Sequence, residues 1–356
     1  MSQVTRWAYV GSRTTRERNA RGDGISVYQC DSTTGELKLI QVHRELVNPS
    51  FLALNKACDR LYAVHGDCEE VSSFKVDKTT GKITLLNSQS TKGNNPVHLA
   101  LDPLERHLIV SNHKSSSLAV LPILDDGSIG TLTQLVKLEG EPGPHRHEQP
   151  FAKPHFNPFD PSGKFVVVPD KGLDKTFIFR FESGSLQSCE YPETMGREAS
   201  GPRHIAFHPI HPWAYIANEL DSTVTACNFN DQTGRLQPFQ ILSGLSDSYV
   251  GNSKASEIEV SKSGRTLYFS NRGEDTIAVF KIDQDNGRLA LIQSQPCLGK
   301  TPRFFALSPE DHWLYVLNED SDSIVLFGVD RATEILHPID FNISCGSPVC
   351  MVFSSF

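Results

Sequence analysis

Five side chains of this 356-residue chain have the types and spacing to do chemistry on an anion: His155, Arg203, Glu219, Arg272 and Arg303. Guanidiniums brought together repel one another unless something anionic sits between them. An imidazole and a carboxylate beside them would add proton-transfer groups, so the set is suited to acid/base work on a carbonyl or enol held as an anion. His155 lies 48 residues before Arg203, and Arg203 lies 16 before Glu219; Arg303 and Glu319 repeat the second spacing, so spacing alone leaves open which pair works.

What would bring residues so far apart together is a phrase of about 50 residues that recurs seven times, once broken across the termini. Its opening residue falls at Pro49, Pro96, Pro154, Pro202, Ala255, Pro302 and Pro348. Each copy continues through an apolar strand, a second strand such as Trp213–Asn218 ending in a small polar turn, a β-branched third run such as Thr223–Cys227, and a turn such as Asp283–Arg288 before a fourth. Four short strands per period, with no helical periodicity between them, predict an all-β seven-bladed β-propeller with four antiparallel strands per blade. The chain enters in mid-phrase at Trp7–Gly11 and ends on the missing inner strand, Pro348–Phe353. Pairing those two ends closes the ring and removes open sheet edges. No linker interrupts the period, which predicts a single domain over residues 1–356.

In such a blade the start of the innermost strand and the turn after the second strand lie on one face. The residues just after the seven markers are Ser50, Val97, His155, Arg203, Ser256, Arg303 and Val349, three of them His or Arg on an acidic protein. The turns on the same face are read as Gly11–Ser12, His65–Gly66, Asn112–His113, Pro169–Asp170, Asn218–Glu219, Asn271–Arg272 and Asn318–Glu319. His155, Arg203, Glu219 and Arg272 are therefore expected to converge at one mouth of the central channel. Polar residues at strand ends are ordinarily solvated or bonded to their own backbone, so it is the joint placement that carries the expectation.

Composition narrows the partners. A net charge of −8 argues against nucleic acid, which requires a basic face. The N-terminus lacks a secretory pattern and no run approaches a membrane span, so a cytoplasmic protein is expected. The eight cysteines show no Cys-x-x-Cys spacing and are expected to be mostly reduced core thiols. The run Gly143–Gln149 does not match zinc-ligand spacing and is read as part of a long connection roofing the active face, with Ser246–Ser253 on a second long connection at the opposite rim.

The phrases Tyr9–Val10–Gly11–Ser12, Gly163 to Asp174, Gly201 to Pro209, Asn218–Glu219–Leu220–Asp221–Ser222 and Ser270–Asn271–Arg272–Gly273 resemble the lactonase family of seven-bladed propellers. That family includes the propeller-type 6-phosphogluconolactonases and the 3-carboxy-cis,cis-muconate cycloisomerases, and the resemblance covers essentially the whole chain. It implies a site without a metal or other cofactor, with the catalytic His at His155, the acid/base Glu at Glu219, and substrate-binding arginines at Arg203 and Arg272; Arg303 matches a further recurrent position. It also implies hydrolysis of a sugar lactone such as 6-phosphogluconolactone, with lactone-forming or lactone-opening cycloisomerisation of a carboxylated muconate as the alternative; the competing class is a non-catalytic binding scaffold, since many propellers only hold partners. The expected partner is a small anionic lactone or carboxylate, with no nucleic acid or membrane, and the expected state is a monomer or weak homodimer. Two departures from the pattern bear on substrate choice: Lys153 stands where many members have a second His, and the segment Arg13–Arg21 is longer and more basic.

Overall fold

The computed structural model describes residues 6–354; the ends of the expected single domain, 1–5 and 355–356, lie outside the described residues. Seven antiparallel sheets follow one another along the chain, as the period predicts. Six have four strands in simple order, and one of these is shared by the termini: Pro348–Phe353 pairs with Arg6–Ser12, aligning Ala8 with Phe353 and Tyr9 with Val352. In the fourth blade the inner segment is held by two isolated bridges, Pro154 to Asp170 and Phe159 to Val166, in place of a continuous ladder. Pro154 and Pro158 on that segment and Pro169 opposite it lack N–H donors, which explains the broken ladder.

The core is not one mass but seven layers, each between neighbouring blades. One layer packs Tyr215 and Ala217 against Leu267 and Phe269 of the next blade; another packs Val10 and Met351 against Tyr315 and Leu317 across the closure. A repeated staple reinforces them. Tyr9, Tyr62, Tyr215 and Tyr315, all fully buried, each donate a hydroxyl hydrogen bond of 2.7–3.1 Å to the carbonyl of a glycine in a neighbouring blade's outer turn: Gly81, Gly127, Gly287 and Gly35. Gly81 must be glycine there, because its φ is +71° and a Cβ would sit 2.4 Å from the Trp7 ring.

A second repeated device aims the functional side chains. Pro202 pairs with Asn218 but His204 pairs with Ala217, so Arg203 is the extra residue of a β-bulge. The same shift occurs after Pro49, Pro96, Pro302 and Pro348, leaving Ser50, Val97, Arg303 and Val349 unpaired. A bulge turns its extra side chain out of the ladder's alternation, here toward the channel. One residue further along, Phe51, His98, Phe156, His204 and Phe304 pack together, with ring centroids 3.9–6.1 Å apart, and plug the channel. The plug leaves two separate mouths. Six of the eight cysteines are buried, and among the described residues no helix is long and apolar enough to cross a membrane.

Candidate active site

The pairing register corrects the turn column in two blades. Pro348, Pro49, Pro96, Pro154, Pro202, Ala255 and Pro302 face Ser12, His65, Asn112, Asp170, Asn218, Asn271 and Asn318. The next residues are then Arg13, Gly66, His113, Lys171, Glu219, Arg272 and Glu319. Aligning Gly11–Ser12 and Pro169–Asp170 with Asn218–Glu219 was one residue early, and the slip hid Arg13 and Lys171.

Glu219 is the hub of one side of this mouth. Its Oε1 lies 3.1 Å from Lys171 Nζ, and its Oε2 lies 3.1 Å from Arg203 Nε and 3.4 Å from Arg272 Nη2. The two guanidiniums are also anchored to backbone, Arg203 Nη1 to the Ser256 carbonyl and Arg272 Nη2 to the Ala255 carbonyl, each at 2.7 Å. Burial by itself would raise the Glu219 pKa, but Lys171, Arg272 and Arg203 outweigh it and hold the carboxyl well below its ordinary value. Burial and the Arg272 charge lower Arg203 to about 9.

His155 borders the same cavity from the neighbouring blade, with its ring centroid 5.2 Å from those of His113 and His204. Its Nδ1 is buried without a hydrogen-bond partner. Burial first, then the Arg203 charge, pushes its pKa well below 6.5, so the imidazole is neutral at neutral pH. The segment carrying it is pinned by Asp170, whose Oδ1 accepts backbone N–H bonds from Lys153, Gly172 and Leu173 at 2.9 Å. Burial raises the Asp170 carboxyl to about 7.

The cavity above these groups has a volume of about 520 Å³. Arg303 also lines it but does not join Glu219. Its Nη1 pairs instead with Glu319 at 3.6 Å, two blades on from Glu219, and Arg13 meets the same carboxylate. The structure thus gathers His155, Arg203, Glu219 and Arg272 in three successive blades and sets Arg303 apart in a second group. Among the described residues no three His, Cys, Asp or Glu side chains are grouped to hold a metal ion.

A family model described as lactonase, 7-bladed beta-propeller, matches residues 7–353. The chain belongs to this lactonase family. It is 33% identical to a 6-phosphogluconolactonase of Bacillus subtilis over 97% of both chains, and 32% identical to one of Formosa agariphila over 91% of this chain and 93% of that one. The solved structure of a periplasmic gluconolactonase of Pseudomonas aeruginosa superposes with a TM-score of 0.91 at 26% identity, covering 99% of each chain.

On this lactonase-family scaffold, sequence reasoning had passed over Lys171, Arg13, Lys254 and Glu148. Glu148, on the long connection expected to roof the site, accepts Lys171 Nζ at 2.9 Å and also pairs with Lys254 from two blades away. It therefore straps the roof across the mouth. Burial opposes ionisation of Glu148, yet Lys254 and Lys171 lower it to about 2. Lys153 donates from Nζ to the Glu148 carbonyl at 2.8 Å, so the residue that replaces a second His serves the roof. The signal for Lys171 was available in the column after the second strand, once the register was right. For Glu148 there was none, because a loop's landing point is set by tertiary packing.

Proposed function

We propose that this protein hydrolyses the lactone ring of a phosphorylated sugar acid, of the 6-phosphogluconolactone type. The observation that carries the reading is a neutral imidazole with an unpartnered Nδ1 beside a fixed pair of guanidiniums. The names of the relatives support the same substrate class.

In this reading His155 takes a proton from a water as the oxygen attacks the lactone carbonyl carbon. Arg203 and Arg272 stabilise the oxyanion that forms, and the C–O ring bond breaks as His155 returns the proton to the ring oxygen. The acid produced loses a proton to solvent and leaves as a carboxylate. Glu219, ion-paired to three cations and strongly acidic, is a poor base; its task is to hold Lys171, Arg203 and Arg272 at their stations. General-base assistance of this kind contributes roughly 10²–10⁴-fold, and oxyanion stabilisation is often the larger part.

The test is proton release from 6-phosphogluconolactone at neutral pH, corrected for spontaneous opening, for wild type, His155→Ala and Glu219→Gln. Equal rates for all three would retire the hydrolytic reading for that substrate.

A further inference from the structure

The mouth contains two carboxylates at equivalent turns, Glu219 and Glu319, and the two are not equipped alike. Glu219 is 5% exposed and contacts its three cations at 3.1–3.4 Å. Glu319 is shared by Arg13 Nε and Arg303 Nη1, each at 3.6 Å, beyond a hydrogen bond. Nearby, Arg18 and Lys114 share the single carboxylate of Asp67, at 2.6 and 3.0 Å.

Arg13 is the anomaly. It is 3% exposed, yet its Nε and Nη1 have no hydrogen-bond acceptor. A buried guanidinium with idle donors is costly unless an acceptor arrives. Next to it the Ser50 hydroxyl is likewise buried and unpartnered. The backbone makes room for the pair at Gly66, where a Cβ would lie 2.7 Å from Arg13 Nη1 and 3.0 Å from Ser50 Oγ. Arg13 and Arg303 both line the cavity of about 520 Å³, and beneath them, with Ser50, Arg203 and His155, they border a recess of about 20 Å³, room for a single water. Burial and the neighbouring Arg303 and Arg18 charges also lower Arg13 to about 9, so an incoming anion relieves rather than adds strain.

We propose that Arg13 and Arg303, with Ser50 reached through one bridging water, form a second anion seat on the wall of the main cavity, which receives the phosphate monoester of the substrate while the Glu219 cluster faces the reacting carbonyl. This rests on the lactonase reading and assigns the substrate's charged end within it. Guanidinium forks match phosphate oxygens, and the Ser50 hydroxyl anchors the water beneath them. Arg13 opens the long basic segment in which this chain departs from the family pattern, whereas Arg303 matches a recurrent family position, so Arg13 is the part of the seat that sets this chain apart.

The experiment compares kcat/KM on 6-phosphogluconolactone with kcat/KM on unphosphorylated gluconolactone. Arg13→Gln is expected to lower the phosphorylated-to-neutral ratio by at least about tenfold, the contribution of a charge-assisted hydrogen bond. Because Arg13 is buried, Gly66→Ala provides a second route: it displaces the guanidinium without removing it, and should lower the same ratio with the protein still folded by thermal melting. A ratio unchanged in both variants overturns the seat, whatever happens to the absolute rates. Calorimetric titration with 6-phosphogluconate and gluconate separates this idea from the lactonase reading. If wild type opens neither lactone, the hydrolytic reading falls; the seat then stands if wild type prefers 6-phosphogluconate and Arg13→Gln loses that preference, and falls if the two ligands bind alike.

Discussion

The two ends of the plugged channel hold carboxylates in nearly the same burial but opposite states. At the cationic mouth Glu219 is 5% exposed and held well below its ordinary pKa, because three cations overcome desolvation. Toward the other end Glu257 is 6% exposed, and burial, opposed only in part by Arg203, raises its carboxyl to about 8. Its Oε1 meets His204 Nδ1 at 2.9 Å, while its Oε2 has no partner. The cavity at that end, about 400 Å³, is walled by Phe51, Phe156, Phe304 and Met351. Burial therefore does not decide the charge of a carboxyl; the company supplied by the bulge and turn columns does. One end is built to bind an anion, and the other keeps its acid neutral.

The harshest way to break the contrast is to remove the strand both ends share. Deleting residues 348–356 takes away Val349 near the cationic mouth and Met351 from the opposite wall, and unpairs Arg6–Ser12. An insoluble or molten chain is expected by circular dichroism and dye binding; unchanged cooperative melting would sink ring closure as a requirement.

His155→Ala should lower kcat by roughly 10²–10⁴-fold while the fold persists. In wild type, kcat should hold constant as pH falls to 6.5 and drop only below it, since protonation of an imidazole with a depressed pKa removes the base. An acid limb centred at 6.5 or above would assign the base elsewhere.

Glu219→Ala strands the buried Lys171 and Arg203 and the partly buried Arg272 and should cost about 3–5 kcal/mol in denaturant unfolding, with Glu219→Gln milder because it keeps an acceptor. Its stabilising contribution is present above the ordinary carboxylate pKa of 4.5 and is lost as pH falls through the depressed folded value. A neutral effect of Glu219→Ala would mean that the cluster is not a structural hub.

Glu257→Gln should be the smallest change and of the opposite sign. A folded pKa raised from 4.5 to about 8 gives a contribution present below 4.5 and lost as pH rises through about 8. Melting temperatures of wild type and Glu257→Gln should converge near pH 5 and separate by pH 9, with the variant the more stable. Parallel curves would show that the two ends are electrostatically alike.

The contrast also shows how much could be read beforehand. The seven blades, their closure and the inner-strand column were legible, because a period-two pattern repeated at a fixed spacing has few ways to bury itself. The column that carries His155, Arg203 and Arg303 was read correctly, since each copy is announced by its marker. The turn column slipped at Gly11–Ser12 and Pro169–Asp170, where apolar second strands end on residues unlike the usual Asn. That one-residue slip concealed Lys171, the third cation on Glu219, and Arg13, the buried guanidinium with idle donors. A register error in a strand exchanges faces, so it misplaces side chains completely rather than slightly.

By itself, the amino-acid order determined the scaffold and nominated the chemistry, because local periodicity and exceptions to a repeat are both one-dimensional facts. Tertiary structure alone decided the partnerships: that Glu219 gathers Lys171, Arg203 and Arg272, that Arg303 turns instead to Glu319 and Arg13, and that Glu148 straps the roof. Those choices depend on ångström distances between blades and on how much water burial removes, and a Coulomb interaction at 3 Å is set by position in space, not by separation along the chain.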